Sequence, residues 1–195
     1  MAEVELPNTE ELEEIRSKAF TRQVALVTAI FAVVLAIASL GGNNATKEML
    51  LAQQQSSDQW AFYQAKAVRE HLYRSHKMRL EADLMEKGGN IRPEVRKHYE
   101  GMLRKMDEEE ARYNKEKKEI EQEAKKLEHE RDVNRSKDPY FDYAEVLLQI
   151  SIVMASISIL AVSRPVFYFA VVLASMGASL TLNGYLLIFR LPFFQ

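Results

Sequence analysis

Three stretches of this chain are almost free of charge: Val24–Leu40, Val146–Val162 and Val166–Phe189, with Arg164 and Pro165 dividing the last two. A helix rises about 1.5 Å per residue, so roughly 20 apolar residues span the hydrocarbon core of a bilayer. The third stretch meets that length outright. The first two meet it when Arg22–Gln23, Gly41–Gly42 and Tyr143–Gln149 reach into the interface. The pattern predicts an all-α integral membrane protein with transmembrane helices over 24–44, 143–163 and 166–189, a polar segment at 1–23 and a tail at 190–195. A signal peptide is the competing reading of the first stretch. Against it stands a long acidic start (Glu3, Glu5, Glu10, Glu11, Glu13, Glu14), where a signal peptide has a short basic one.

Between the first two spans the pattern changes. No proline or glycine interrupts Ala45–Lys87, and after Pro93 none but Gly101 interrupts the run to Ser136. Gly88-Gly89-Asn90 supplies a helix stop and Pro93 a first-turn residue. Residues 45–138 are therefore expected to form a long antiparallel helical hairpin, coiled-coil-like, with its turn at 88–92 and arms of about 65 Å. Gly41-Gly42-Asn43-Asn44 is expected as a hinge or helix end, and Asp138-Pro139 as the close of the second arm. Asn8 or Thr9 is the expected cap of a short leader helix.

The second arm carries a heptad stripe: Tyr99, Met106, Tyr113, Ile120 and Leu127. Its companion column reads Met102, Glu109, Glu116 and Glu123, which is mostly acidic. Ala61, Ala65, Val68 and Leu72 are expected to meet this stripe from the first arm. A turn centred on Asn90 places Trp60 opposite Ile120 and Tyr63 opposite Lys117. Trp60, Phe62 and Tyr63 point in more directions than one arm covers, which suggests contact with a neighbouring subunit. Hairpin or oligomer packing is accordingly expected of Trp60, Phe62, Tyr63, Ala65, Leu72 and the heptad stripe. A straight helix from Leu40 would carry Trp60 about 30 Å past the membrane edge, beyond the headgroup level where aromatic belts lie.

Charge narrows the chemistry. Residues 45–142 hold 21 basic and 21 acidic side chains, finely mixed, as suits solvated helices and not a one-sided nucleic-acid surface. Cysteine is absent, so neither disulfides nor thiolate chemistry arise. His71 and His76 are five apart, which does not bring them to one helix face; a metal held by His76 and His98 with Glu81 or Asp83 is the weaker reading beside four solvated histidines. Carboxylate pairs such as Asp107 and Glu110 lie in a charge-rich helix with nothing to raise their pKa. No catalytic motif and no cofactor site is expected.

Polar groups inside the spans are costly and call for a role. Glu145, Gln149 and Asn183 are candidates to line a path, and Asn183 alternatively bonds across a helix interface. Ala170, Ala174 and Ala178 form a small-residue ridge for helix packing, with Ala25/Ala29, Ala32/Ala36 and Ser151/Ala155 on the other spans. Three distinct ridges suit a bundle of several chains.

The motif D-Q-W-A-F-Y-Q-A-K (Asp58–Lys66), lying between a first span and a charged hairpin, resembles an uncharacterised bacterial family of membrane proteins known as a domain of unknown function. The resemblance covers most of the chain and implies a bacterial membrane location, with no activity, substrate or cofactor attached. The expected setting is the bacterial inner membrane, with lipid, further copies of the chain and other envelope proteins as partners and no nucleic acid. Arg16, Lys18 and Arg22 favour a cytoplasmic amino terminus and hence a hairpin outside the cytoplasm, while Lys125, Lys126, Arg131, Arg135 and Lys137 oppose it. Function is expected to be that of a non-enzymatic oligomeric scaffold; the alternative is a channel or transporter subunit.

Overall fold

The computed structural model describes residues 9–87, 89 and 91–189, with side chains from residue 16 onward. The expected leader cap, the Gly88 and Asn90 stop and the 190–195 tail lie outside the described residues, apart from the backbone of Thr9. Three helices follow one another: α1 (Thr9–Lys87), α2 (Pro93–Leu160) and α3 (Arg164–Leu186), and the described residues include no strand. Each is long and apolar enough in one window to cross a membrane. Pro93 opens α2, where its missing N–H costs nothing.

Two expected breaks are helical instead. Residues 41–44 continue α1, because the absent glycine side chains serve close packing and not a bend. Pro139 lies inside α2. It removes a single donor, and Asp138 beside it accepts the Thr46 hydroxyl at 2.7 Å. The chain divides into two compact units, residues 1–49 with 133–195, and residues 50–132.

In the first unit the helices present faces spaced alternately by three and four residues. Phe141, Ala144, Leu148, Ser151, Ala155 and Ser158 are buried on α2. Phe167, Ala170, Ala174, Gly177, Thr181 and Gly184 are buried on α3. Val24, Phe31, Ala38 and Ala45 supply the α1 side. The interior is rich in small residues, and its hydroxyls bond within their own helices: Ser151 to the Leu147 carbonyl (2.6 Å), Ser158 to Ala155 (2.7 Å) and Thr181 to Gly177 (2.9 Å). Large apolar side chains point outward, among them Leu26 (62% exposed), Leu160 (85%) and Ile30, Val153 and Leu182.

The second unit is an antiparallel hairpin. Its cross-arm pairs Lys77–Asp107, Arg74–Glu110 and Gln53–Arg131 are symmetric about position 92. That is two residues beyond the expected centre, and so shifts the opposing arm by one helical turn. Trp60 bonds Glu128, one turn beyond the position opposite it in this register, and not Ile120, while Lys117 Nζ lies 5.7 Å from the Tyr63 ring. Tyr113 and Leu127 of the heptad stripe are buried, and Tyr99, Met106 and Ile120 partly so. The companion column falls one residue later than expected, at Leu103, Glu110, Lys117 and Ala124. Ala124 is buried while Glu123 is exposed. This rotation puts a small residue in the seam, where the Ser56 hydroxyl donates to the Ala124 carbonyl (3.5 Å), and leaves glutamates at the flank within reach of lysines.

Candidate functional site

The hairpin seam is polar at its centre. Glu70 is only 2% exposed. Its carboxylate accepts from Lys117 Nζ (2.5 Å), Asn114 Nδ2 (3.2 Å) and Arg74 Nη2 (3.2 Å). Lys117 lies across the seam and Arg74 one turn along the same helix. The Lys117 hydrogen bond, helped by Asn114 and by the charges of Lys117 and Arg74, holds the Glu70 carboxyl below the usual carboxylate range against the opposing effect of burial. Arg74 reaches on to Glu110 (2.8 Å), and Lys66 bonds Glu116 (2.5 Å). Tyr73 and Tyr113 stack at 5.6 Å between these pairs, and the Arg112 guanidinium lies 4.9 Å from the Tyr113 ring centre. Desolvated ion pairs contribute modest net stability but penalise mismatched registers, since a slip would strand a buried charge.

The D-Q-W-A-F-Y-Q-A-K motif divides between two faces of α1. Trp60 donates from Nε1 to Glu128 (2.9 Å) and meets Tyr63 edge-on at 5.3 Å, while Tyr63 lies 5.7 Å from Lys117 Nζ. Trp60, Tyr63 and Lys66 thus grip the second arm. Ala61, Phe62, Ala65, Val68 and Leu72 do not. The expectation that Ala61, Ala65, Val68 and Leu72 face the other arm is corrected: Val68 is 68% and Leu72 52% exposed. An arm rich in Glu and Lys selects polar partners from α1, which rotates its alanine-valine-leucine stripe outward.

In the first unit Phe141 is a wedge between helices. A Cβ built on Gly41 of α1 would lie 2.5 Å from its ring, and one on Gly184 of α3 would lie 2.9 Å from it. The Tyr185 ring packs edge-on against Phe141 at 5.0 Å, and its hydroxyl donates to the Ile37 carbonyl (3.1 Å). Of the expected α3 ridge, Ala170 and Ala174 are buried, but the buried line then passes through Gly177 and leaves Ala178 half-buried at its edge. Gly177 sits where a Cβ would come within 3.1 Å of the Ala144 carbonyl oxygen.

Asn183 has a local task. α3 ends at Leu186, Leu187 adopts the left-handed conformation, and the Asn183 amide exchanges two hydrogen bonds with the backbone of Phe189 (2.8 and 2.9 Å). The Asn183 side chain therefore caps the chain's exit from the helix. Glu145 is half-buried beside Gly42, and Gln149 is exposed. His76 and His98 are both exposed, and among the described residues no group of three or more His, Cys, Asp or Glu side chains is placed to hold a metal.

Glu70 and Phe141 were not singled out from the sequence, and Lys117 only as the residue opposite Tyr63. Signals existed: Ser56, Tyr63, Glu70 and Lys77 recur every seven residues, and the glycines at 41, 42 and 184 leave room for one large ring.

Fold and surfaces together define an all-α chain with three helices apolar enough to span a membrane and an ion-paired helical hairpin. It belongs to the family described as a domain of unknown function (DUF4337), whose family model matches residues 20–187. That match begins at Phe20, the first buried residue of α1 among those with described side chains, whose ring packs edge-on against Phe167 at 5.9 Å. No curated protein and no solved structure matches the chain.

Proposed function

We propose that the chain is a non-enzymatic scaffold of the bacterial inner membrane, which self-assembles through the outward stripe of α1. The observation that carries this reading is the exposure of Ala61, Ala65, Val68 and Leu72, spaced four, three and four residues apart, on the face of α1 turned from its own partner arm. One helix then has two seams, the first used within the chain and the second suited to another helix. Burying Val68 and Leu72 supplies on the order of 1.5–3 kcal/mol each. That is modest in free solution, but confinement in a membrane raises the effective concentration of the copies.

The membrane setting is supported by the outward leucines, isoleucines and valines around an interior of alanine, glycine and serine, the packing that lipid favours. Arg16 and Arg164 line one cleft and so share one end of the unit. Positive charge at that end favours the cytoplasmic side, which puts the end where the chain inserts residues 50–132 outside. A conducting path is less well supported, because Asn183 spends its amide on Phe189.

Replacing both Val68 and Leu72 with glutamate is expected to reduce the complex in mild detergent to monomer, read by light scattering, with the chain still in the membrane fraction. An unaltered mass would reject the stripe as the contact. Trp60→Ala, by contrast, removes a bond to Glu128 and is expected to loosen the hairpin and leave assembly in place.

A further inference from the structure

Where α1, α2 and α3 meet in the first unit, a cleft of about 200 Å³ opens above the Phe141 wedge. Its floor is Gly41, Phe141, Gly184 and Tyr185, and its polar rim is Asn44, Glu48, Asn134 and Lys137. The floor is rigid: the ring of Phe141 fills the space left by two glycines, and Tyr185 is tied to the Ile37 carbonyl. At about 30 Å³ per water, the volume corresponds to roughly seven water molecules, which suits a headgroup and not a larger ligand.

The two rim charges share one cleft without pairing with each other, and Glu48 is exposed. Ion pairs are frequent along the hairpin, yet among the described residues neither the Glu48 carboxylate nor the Lys137 ammonium has an ion-pair partner, although both line one small cleft. Asp138, next to Lys137, accepts from Thr46. Lys137 is instead held by Asn134 Oδ1 at 3.2 Å, and Asn134 is itself only 8% exposed. A buried amide thus positions an ammonium that lacks a counter-ion, on the same rim as a carboxylate that lacks one. A molecule carrying both an anion and a primary ammonium would satisfy each.

We propose that this cleft binds the headgroup of a zwitterionic aminophospholipid of the phosphatidylethanolamine class. Its phosphate lies beside Lys137 and Asn44, and its ammonium donates to Glu48. Asn134 acts as a positioning residue. The assignment to a lipid rests on the membrane reading: the cleft lies at the end of the apolar spans, and Leu40 and Leu186, adjacent to its floor residues in sequence, are exposed for acyl chains to cover. Phosphatidylcholine fits less well because its trimethylated nitrogen cannot donate hydrogen bonds. Phosphatidylglycerol brings no cation for Glu48.

The test is native mass spectrometry of the full chain equilibrated with phosphatidylethanolamine, phosphatidylcholine or phosphatidylglycerol. One phosphatidylethanolamine per chain is expected to survive at least fivefold better than either of the others. Glu48→Gln is expected to abolish that preference, and Lys137→Ala to lose retention of phosphatidylethanolamine. Equal retention of the three lipids, or a preference unchanged in both variants, would overturn the proposal. Displacement of the lipid by an equal concentration of soluble phosphoethanolamine would also overturn it, by assigning the cleft to a free metabolite. Sedimentation of the same chains with alkali-washed membranes separates the two readings: a chain that pellets but shows no preference fails only the headgroup assignment.

Discussion

Phe141→Ala is expected to lower the thermal midpoint of the first unit sharply, with a cost of about 3–5 kcal/mol. The ring is nearly inaccessible and touches α1 at Gly41 and α3 at Gly184, so its loss opens one cavity on two helix interfaces. The flanking helices cannot collapse into the gap independently, because each also packs elsewhere along its length. Gly41→Ala is expected to be harmful for the opposite reason, as its methyl would come within 2.8 Å of both the Phe141 ring and the Tyr185 hydroxyl. Combining Gly41→Ala with Phe141→Leu, which removes the ring atoms in conflict, should recover part of the loss. A coupling of about 1 kcal/mol or more in that double-mutant cycle, read by thermal unfolding in detergent, would establish the wedge. Additive effects would argue against it.

Glu70→Ala is expected to destabilise the hairpin by about 3–5 kcal/mol, because it leaves Lys117 largely buried with its counter-ion gone. Replacing Glu70 and Lys117 together with leucine should restore most of that stability, since neither desolvated charge then remains. Hydrogen exchange of residues 63–77 and 107–120 reads the effect locally. The pH dependence has a definite sign. The folded carboxyl of Glu70 titrates below its unfolded value of roughly 4.3, so its stabilisation is complete above that value. It is lost as pH falls through the lower folded value. Exchange protection should therefore drop on acidification below about pH 4, and Glu70→Gln should flatten that part of the profile.

The broad architecture was legible from the chain because its signals are long. Three uncharged runs and two uninterrupted charged ones leave few alternatives to an all-α chain, and Pro93 marks the start of α2 by the donor it lacks. The finer errors share a physical origin. Glycines 41 and 42 read equally well as a break or as a close approach, and only the position of Phe141, about 100 residues away, decides between them. The seam was sought among apolar residues, whereas Lys117, Glu70 and Arg74 occupy it. The seven-residue recurrence of Ser56, Tyr63, Glu70 and Lys77 is polar, so the alanine-valine-leucine stripe was assigned inward in its place. Asn183 was taken for a mid-helix residue because the apolar run continues past it to Phe189. The backbone leaves the helix after Leu186, which turns the same amide into a cap.

The absence of cysteine makes self-assembly directly measurable. A single Val68→Cys substitution, oxidised mildly in isolated membranes, is expected to yield a covalent dimer on a non-reducing gel. Lys118→Cys, exposed on the second arm, should not. A Val68→Cys chain that remains monomeric, or cross-links no better than Lys118→Cys, would contradict assembly through the outward face of α1.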